Sequence, residues 1–159
     1  MLLQLPPNWK GDPDLLDGCL TEFGRRGPRG LRVAVEMRHE SCWTEEMRKV
    51  LTGRGAALVW ADRGGRAQAP LWRTAGWGYL RLHEGSGQPW PRYRQAGLRT
   101  WVKRLADTWP GQPADVYVYF NNDQNGAAIH DAVAFAATAR RAGQAVSRTP
   151  EEVPVTDGG

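Results

Sequence analysis

Apolar runs of strand length alternate with stretches of helical period along nearly the whole chain. The first run, Leu2 to Leu5, stops at Pro6-Pro7. Asp12-Pro13 then places a capping side chain ahead of a proline at the first helical position. Leu16, Leu20 and Phe23 keep helical spacing up to Gly24, where a left-handed cap is predicted. Leu31 to Glu36 reads as a second strand, and Thr44-Glu45-Glu46 opens a helix whose buried stripe is Met47, Val50 and Leu51. Ala57 to Ala61 and Gly78 to His83 are a third and a fourth strand. Between them Arg63 to Gly76 has turn chemistry, so that connection is irregular or holds one short helix. Leu98, Trp101, Val102, Leu105 and Trp109 mark an amphipathic helix over Arg94 to Trp109. Val116 to Phe120 is a fifth strand, and Ala127 to Ala142 a final helix.

Strands that alternate with helices and lack hairpin turns are parallel and joined by crossovers. The fold class is therefore α/β, with a doubly wound open sheet and part of a β/α barrel both open at this point. Side chains alternate faces along a strand, so polar residues sort by parity. One face collects Ala34, Glu36 and Arg38; Tyr79, Arg81 and His83; Tyr117, Tyr119 and Asn121; and Gln4. On the third strand the same rule selects Trp60 and Asp62 over Val59 and Ala61. Each strand thus turns polar at its C-terminal end, which is where parallel α/β folds place their ligands.

Gln4, Glu36, Arg38, Asp62, Arg81, His83 and Asn121 are accordingly read as one pocket. Two carboxylates in a low-dielectric pocket can divide into an acid and a base, which assigns Glu36 and Asp62 a catalytic role. The alternative is that Arg38 or Arg81 holds each of them in a structural ion pair. The two arginines suit bidentate capture of a carboxylate or phosphate, and His83 suits proton transfer near neutral pH. His39 has the opposite parity from Arg38 and is expected to lean away. His130, in the last helix, reads as structural. The amides of Gly85-Ser86-Gly87 and of the turn from Asn122 to Gly126 are further candidates for an anion. Trp90, Arg92 and Tyr93 either stack on a ligand or pack over the rim.

Composition trims the choices. Twenty-one Lys and Arg against 17 Asp and Glu leave a net charge of +4, too mild to require a nucleic-acid partner. Apolar runs fall far short of the roughly 20 residues of a membrane span, and the N-terminus does not read as a signal peptide. Two cysteines, Cys19 and Cys42, make no disulfide framework and point to a reducing cytoplasm. No Cys-x-x-Cys or His-x-x-x-His spacing points to a metal, and no motif names a cofactor.

The ordered motifs carry a resemblance. Gln4-Leu-Pro-Pro-Asn8, Glu36-x-Arg38-His39-x-x-x-Trp43, Ala61-Asp62, Thr74-Ala-x-x-Gly78-Tyr-x-Arg81-x-His83, Tyr119-Phe-Asn121-Asn122-Asp123 and Gly126-x-Ala128-x-x-Asp131-Ala132 follow one another over Leu2 to about Gly143. Together they resemble the YecE-like family, domain of unknown function 72. The resemblance implies a cytoplasmic β/α barrel of the TIM type with a polar cleft at the C-terminal strand ends. It adds His39, Tyr79 and Asn122 to Gln4, Arg38, Arg81 and Asn121 as substrate-binding positions. Glu84 departs from the glycine that often follows the histidine, so the loop there is expected to differ in shape.

Family members resemble complete eight-stranded barrels in which Gln-Leu-Pro-Pro lies near the fourth strand. Residues 1–143 are therefore expected to form five parallel strands, the C-terminal portion of such a barrel, with a polar, disordered tail over 144–159. A missing barrel half, or self-association, is expected to seal the open edges. The leading functional expectation is a hydrolase or lyase acting on a small anionic, phosphate- or sugar-containing substrate in the full-length parent, inactive in the truncated chain. On that expectation Glu36→Gln abolishes turnover and leaves folding intact. The other expectation is a barrel that binds nucleic acid or processes phosphodiesters.

Overall fold

The computed structural model describes residues 1–110 and 114–148. Its strands are β1 (Leu2–Gln4), β2 (Ala34–Glu36), β3 (Ala57–Arg63), β4 (Arg66–Ala67), β5 (Gly78–Glu84) and β6 (Val116–Phe120). The helices are α1 (Pro13–Arg26), α2 (Glu45–Gly53), α3 (Gln95–Thr108) and α4 (Ala127–Arg141). Five strands run parallel in the order β1-β2-β3-β5-β6 and form a half-barrel. Of the expected tail, 149–159 lies outside the described residues, while Val146 packs against the core.

Local chemistry starts the helices where the residues predict. The Asp12 carboxylate accepts from Leu15 N at 2.9 Å and the Thr44 hydroxyl from Met47 N at 3.2 Å. Each cap contributes about 1 kcal/mol. Helix α1, however, does not end at Gly24. It continues to Arg26, and Gly27 caps it in extended backbone, with φ −76°. Arg25 and Arg26 both pair with Glu22 and place positive charge at the negative end of the helix dipole, which favours that extra turn.

The connection after β3 is neither helical nor wholly irregular. Gly64 and Gly65, with φ of 62° and 80°, make a tight turn that pairs β4 antiparallel with the end of β3. Two consecutive left-handed residues match the twist of a hairpin, and glycine takes that conformation at no steric cost. The expectation of a sheet without hairpins is corrected here.

The helices cover one face of the sheet with two apolar clusters. Leu16, Leu20, Val35, Met47, Leu51 and Leu58 form the first; Trp60, Leu80, Leu82, Leu98, Trp101 and Phe135 form the second. Each buried leucine or methionine contributes roughly 1.5–3 kcal/mol. Trp60 belongs to this covered face, at 5.4 Å from Trp109 and 6.4 Å from Trp101 between ring centroids. Its placement on the inward face is therefore corrected. Tyr79, Tyr117 and Tyr119 do occupy the concave face, where Tyr117 and Tyr119 are 42% and 47% exposed.

Candidate functional site

Residues at equal register on parallel neighbours share a face, and register assembles the site. Gln4 lies opposite Glu36, while Arg81 lies between Ala61 and Tyr119. Glu36, the last residue of β2, is only 2% exposed. Its Oε1 accepts from Arg38 Nε at 3.0 Å, and Arg38 Nη2 makes an ion pair with the same oxygen at 2.9 Å. Its Oε2 accepts from Arg81 Nη1, which also donates to Gln4 Oε1 at 2.7 Å. Arg81 Nε donates to Asn121 Oδ1 at 3.2 Å. Groups from four strands, or from the residues directly after them, thus meet around the Arg81 guanidinium.

His83 completes the cluster, with Nε2 3.9 Å from Glu36 Oε1. Burial holds the His83 imidazole below its usual value of 6.5; the Arg81 charge adds to that and Glu36 opposes it. At neutral pH the ring is therefore uncharged and able to accept a proton. One carboxylate against two guanidiniums leaves the cluster one positive charge in excess. Among the described residues no protein group takes a hydrogen bond from Arg38 Nη1 or Arg81 Nη2. The arrangement is chemically suited to an anion.

Of the ten residues singled out from sequence, the structure brings together Gln4, Glu36, Arg38, Arg81, His83 and Asn121. Tyr79 stands on the same face, stacked on Tyr119 at 5.0 Å, and burial raises its phenol above the ordinary value. His39 lies apart, its Nδ1 accepting from Ser41 N at 3.2 Å at the start of a short 3-10 turn.

Asp62 is a correction. It pairs in register with Leu82 and lies on the helix-covered face, fully buried. Tyr93 Oη donates to it at 2.7 Å, Trp101 Nε1 at 3.1 Å and Gly65 N at 3.2 Å. Three donors satisfy the buried carboxylate there, although desolvation still raises its pKa above the usual aspartate value. It cannot share a proton with Glu36 across the sheet. Asn122 lies apart from the Glu36 cluster: it is buried and donates to Pro91 O at 3.1 Å and to Asp131 Oδ2 at 2.8 Å.

Asp131 anchors the loop over this end of the sheet and was not among the predicted site residues. It accepts from Arg92 Nε at 2.6 Å and from Tyr93 N at 2.8 Å. Its signal was legible: an aspartate on the same helical stripe as Ala127, Ala128 and Phe135 must find donors. Arg92 and Tyr93 therefore pack over the rim, while Trp90 is 47% exposed. The glycine amides are not free for an anion, because Gly85 N donates to Pro91 O and Gly87 N to Arg92 O. Glu84 N donates to Tyr93 Oη at 3.1 Å, so the strand's last residue is tied to the same loop. Among the described residues no three His, Cys, Asp or Glu side chains cluster to hold a metal ion. No helix of the described residues is long and apolar enough to cross a membrane.

Two solved structures share this fold. A DUF72 family protein from Enterococcus faecalis is similar at 17% identity and TM-score 0.71, the match covering 96% of this chain and 62% of that one. A DUF72 family protein from Thermotoga maritima is similar at 21% identity and TM-score 0.65, covering 89% and 56%. The chain thus spans about three-fifths of the length of these neighbours. A comparison with curated proteins finds no match. The model of the family described as protein of unknown function DUF72, which is the YecE-like family, matches residues 1–155, and the chain belongs to that family.

Proposed function

We propose that this half-barrel supplies one side of the active site of a hydrolase or lyase whose substrate is a small anion, a phosphate ester or sugar acid. The observation that carries the reading is the Arg38–Glu36–Arg81 cluster with the uncharged His83 beside it. Glu36 aligns the two guanidiniums, and their excess charge attracts the anion. Gln4 and Asn121 hold Arg81 from either side and orient the polar groups of the substrate. His83, short of a proton at neutral pH, takes one from the substrate or from water.

Titration calorimetry with inorganic phosphate and a sugar phosphate tests this. Arg38→Ala is the informative variant, since Arg38 is the more exposed of the two arginines and the fold leans on it less. Binding that weakens about tenfold or more in the variant, as the loss of a charge-assisted bond implies, supports the reading. The absence of any phosphate, sulfate or carboxylate binding overturns it. Tight, steeply salt-dependent retention of an oligonucleotide would favour the nucleic-acid reading instead.

A further inference from the structure

We propose that Trp90, Glu84 and Arg63 form a subsite for a sugar ring beside the Arg38–Glu36–Arg81 cluster, so that the ligand is a sugar carrying an anionic group. The inference rests on the reading of that cluster as an anion site and names the rest of the ligand. It starts from an irregularity in the sheet. Asp62 pairs with Leu82, but the next pair is Arg63 with Glu84, so β5 spends one extra residue, His83, at this point. A bulge of this kind re-aims side chains and is common beside active sites. Strict alternation would send Glu84 behind the sheet with Leu82. The shift sets it opposite Arg63 instead, on the side where His83 faces Glu36. Both strands lie inside the sheet, each paired on either side, so the arrangement does not depend on an edge.

Glu84 is held loosely there. Its Oε2 lies 3.6 Å from Arg63 Nη1, and its Oε1 accepts from Trp90 Nε1 at 3.4 Å. Both contacts are long for bonds to a charged group, so each oxygen keeps a lone pair for a ligand. The Arg63 side chain is 63% exposed. A carboxylate acceptor beside a guanidinium donor matches neighbouring sugar hydroxyls, each of which both donates and accepts. Trp90 supplies the flat wall: its ring is half-exposed, although tryptophan is ordinarily well buried. One face of a pyranose is a row of C–H bonds, and such a face covers an indole. The wall is fixed in advance, because Gly85 N donates to Pro91 O at 2.9 Å, Arg92 N to Pro89 O at 3.0 Å and Asn122 Nδ2 to Pro91 O at 3.1 Å. Little freedom is then lost on binding. After burial and Arg81, the Arg63 charge also helps to hold the His83 imidazole down, so the wall lies within electrostatic reach of the cluster. Arg81 and Glu84 are three residues apart on β5, about 10 Å, close to the length of a hexose phosphate.

Titration calorimetry on the full 159-residue chain compares inorganic phosphate, glucose-6-phosphate and adenosine monophosphate. The sugar phosphate is expected to bind about tenfold or more tightly than phosphate, the scale of one aromatic wall with two polar contacts. The ratio of those two affinities is the readout. Trp90→Ala is expected to bring it close to one, and Trp90→Phe, which keeps a ring face, to restore most of it. A merely structural role for Trp90 would lower both affinities together and leave the ratio at its wild-type value, which overturns the inference. Should Trp90→Ala fail to fold by far-ultraviolet circular dichroism, Glu84→Ala decides: it is expected to cut the ratio several-fold, and an unchanged ratio overturns the inference. Equal affinity for phosphate and the sugar phosphate in the wild-type chain overturns the subsite and leaves the anion site standing. No binding of either overturns both. Tighter binding of adenosine monophosphate than of the sugar phosphate overturns the sugar assignment, since the wall then takes a base.

Discussion

Asp62 and Leu82 are register partners on adjacent parallel strands, and both side chains lie on the helix-covered face of the sheet. The consequence is a division of labour between two buried carboxylates. Glu36, on the concave face, gathers two arginines and a histidine at the open cleft. Asp62, behind the sheet, holds Tyr93 and Trp101, and so fastens the loop after β5 and helix α3 to β3. One carboxylate orders cationic side chains on the concave face; the other is a bolt.

Glu36→Gln is expected to fold but to lose stability, which modifies the expectation of an intact fold. The substitution leaves Arg81, whose side chain is 14% exposed, without its counter-charge. A broken buried pair costs about 3–5 kcal/mol; the lower end applies here because Arg38 still reaches water and is screened. Urea denaturation at pH 7 measures it, and a midpoint equal to wild type would show that the arginines find other partners.

Tyr93→Phe removes one hydroxyl that serves two buried groups, the Asp62 carboxylate and the Glu84 amide. A loss of roughly 1–3 kcal/mol is expected at pH 7. Asp62 also sets a pH dependence. Burial raises its folded pKa above the unfolded value near 3.8, so its stabilising contribution is complete below that value and is lost as pH rises through the raised one. The cost of Tyr93→Phe should therefore shrink between pH 7 and pH 4 in thermal melts. A cost that grows on acidification would contradict this account.

His83 works in the opposite direction. Its folded pKa lies below 6.5, chiefly through burial and then through Arg81. The stability it confers is present above 6.5 and is lost as pH falls through the depressed folded value. Proton-detected titration of the imidazole should give a midpoint under 6.5. His83→Gln should lose less stability than wild type on passing from pH 7.5 to pH 5.5, a window of about one unit on each side of the ordinary histidine value.

Gly85→Ala tests the loop. An added Cβ would lie 2.1 Å from Arg92 O and 2.4 Å from its carbonyl carbon, both backbone atoms that cannot rotate away. The turn closed by Gly85 N to Pro91 O and Gly87 N to Arg92 O must shift, carrying Tyr93 with it. The expected loss is at least the roughly 1–3 kcal/mol of an overpacked site. Gly18→Ala in α1 meets nothing within 4 Å and is the control. It should stabilise by about 0.5–1 kcal/mol, since alanine is the better helix former. Equal melting of the two variants would contradict the packing described for Gly85.

What the residues determined by themselves was the ladder of elements. Capping chemistry at Asp12 and Thr44, apolar periodicity in α3 and the lack of hairpin signals between most strands were enough for a parallel α/β sheet, while the barrel itself followed only from the family resemblance. Parity along β2, β5 and β6 likewise put Glu36, Arg81 and Asn121 on one face, because alternation is a local property of a strand. Parity on β3 failed, since alternation sorts side chains into two sets without saying which set faces the helices. That choice was made across the sheet: Trp60 is better packed against Trp101 and Trp109 than exposed, and Asp62 follows it by the same alternation to where Tyr93 and Trp101 offer donors. Register between strands and the donors brought by a distant helix exist only in three dimensions, and they decided which acid opens on the cleft.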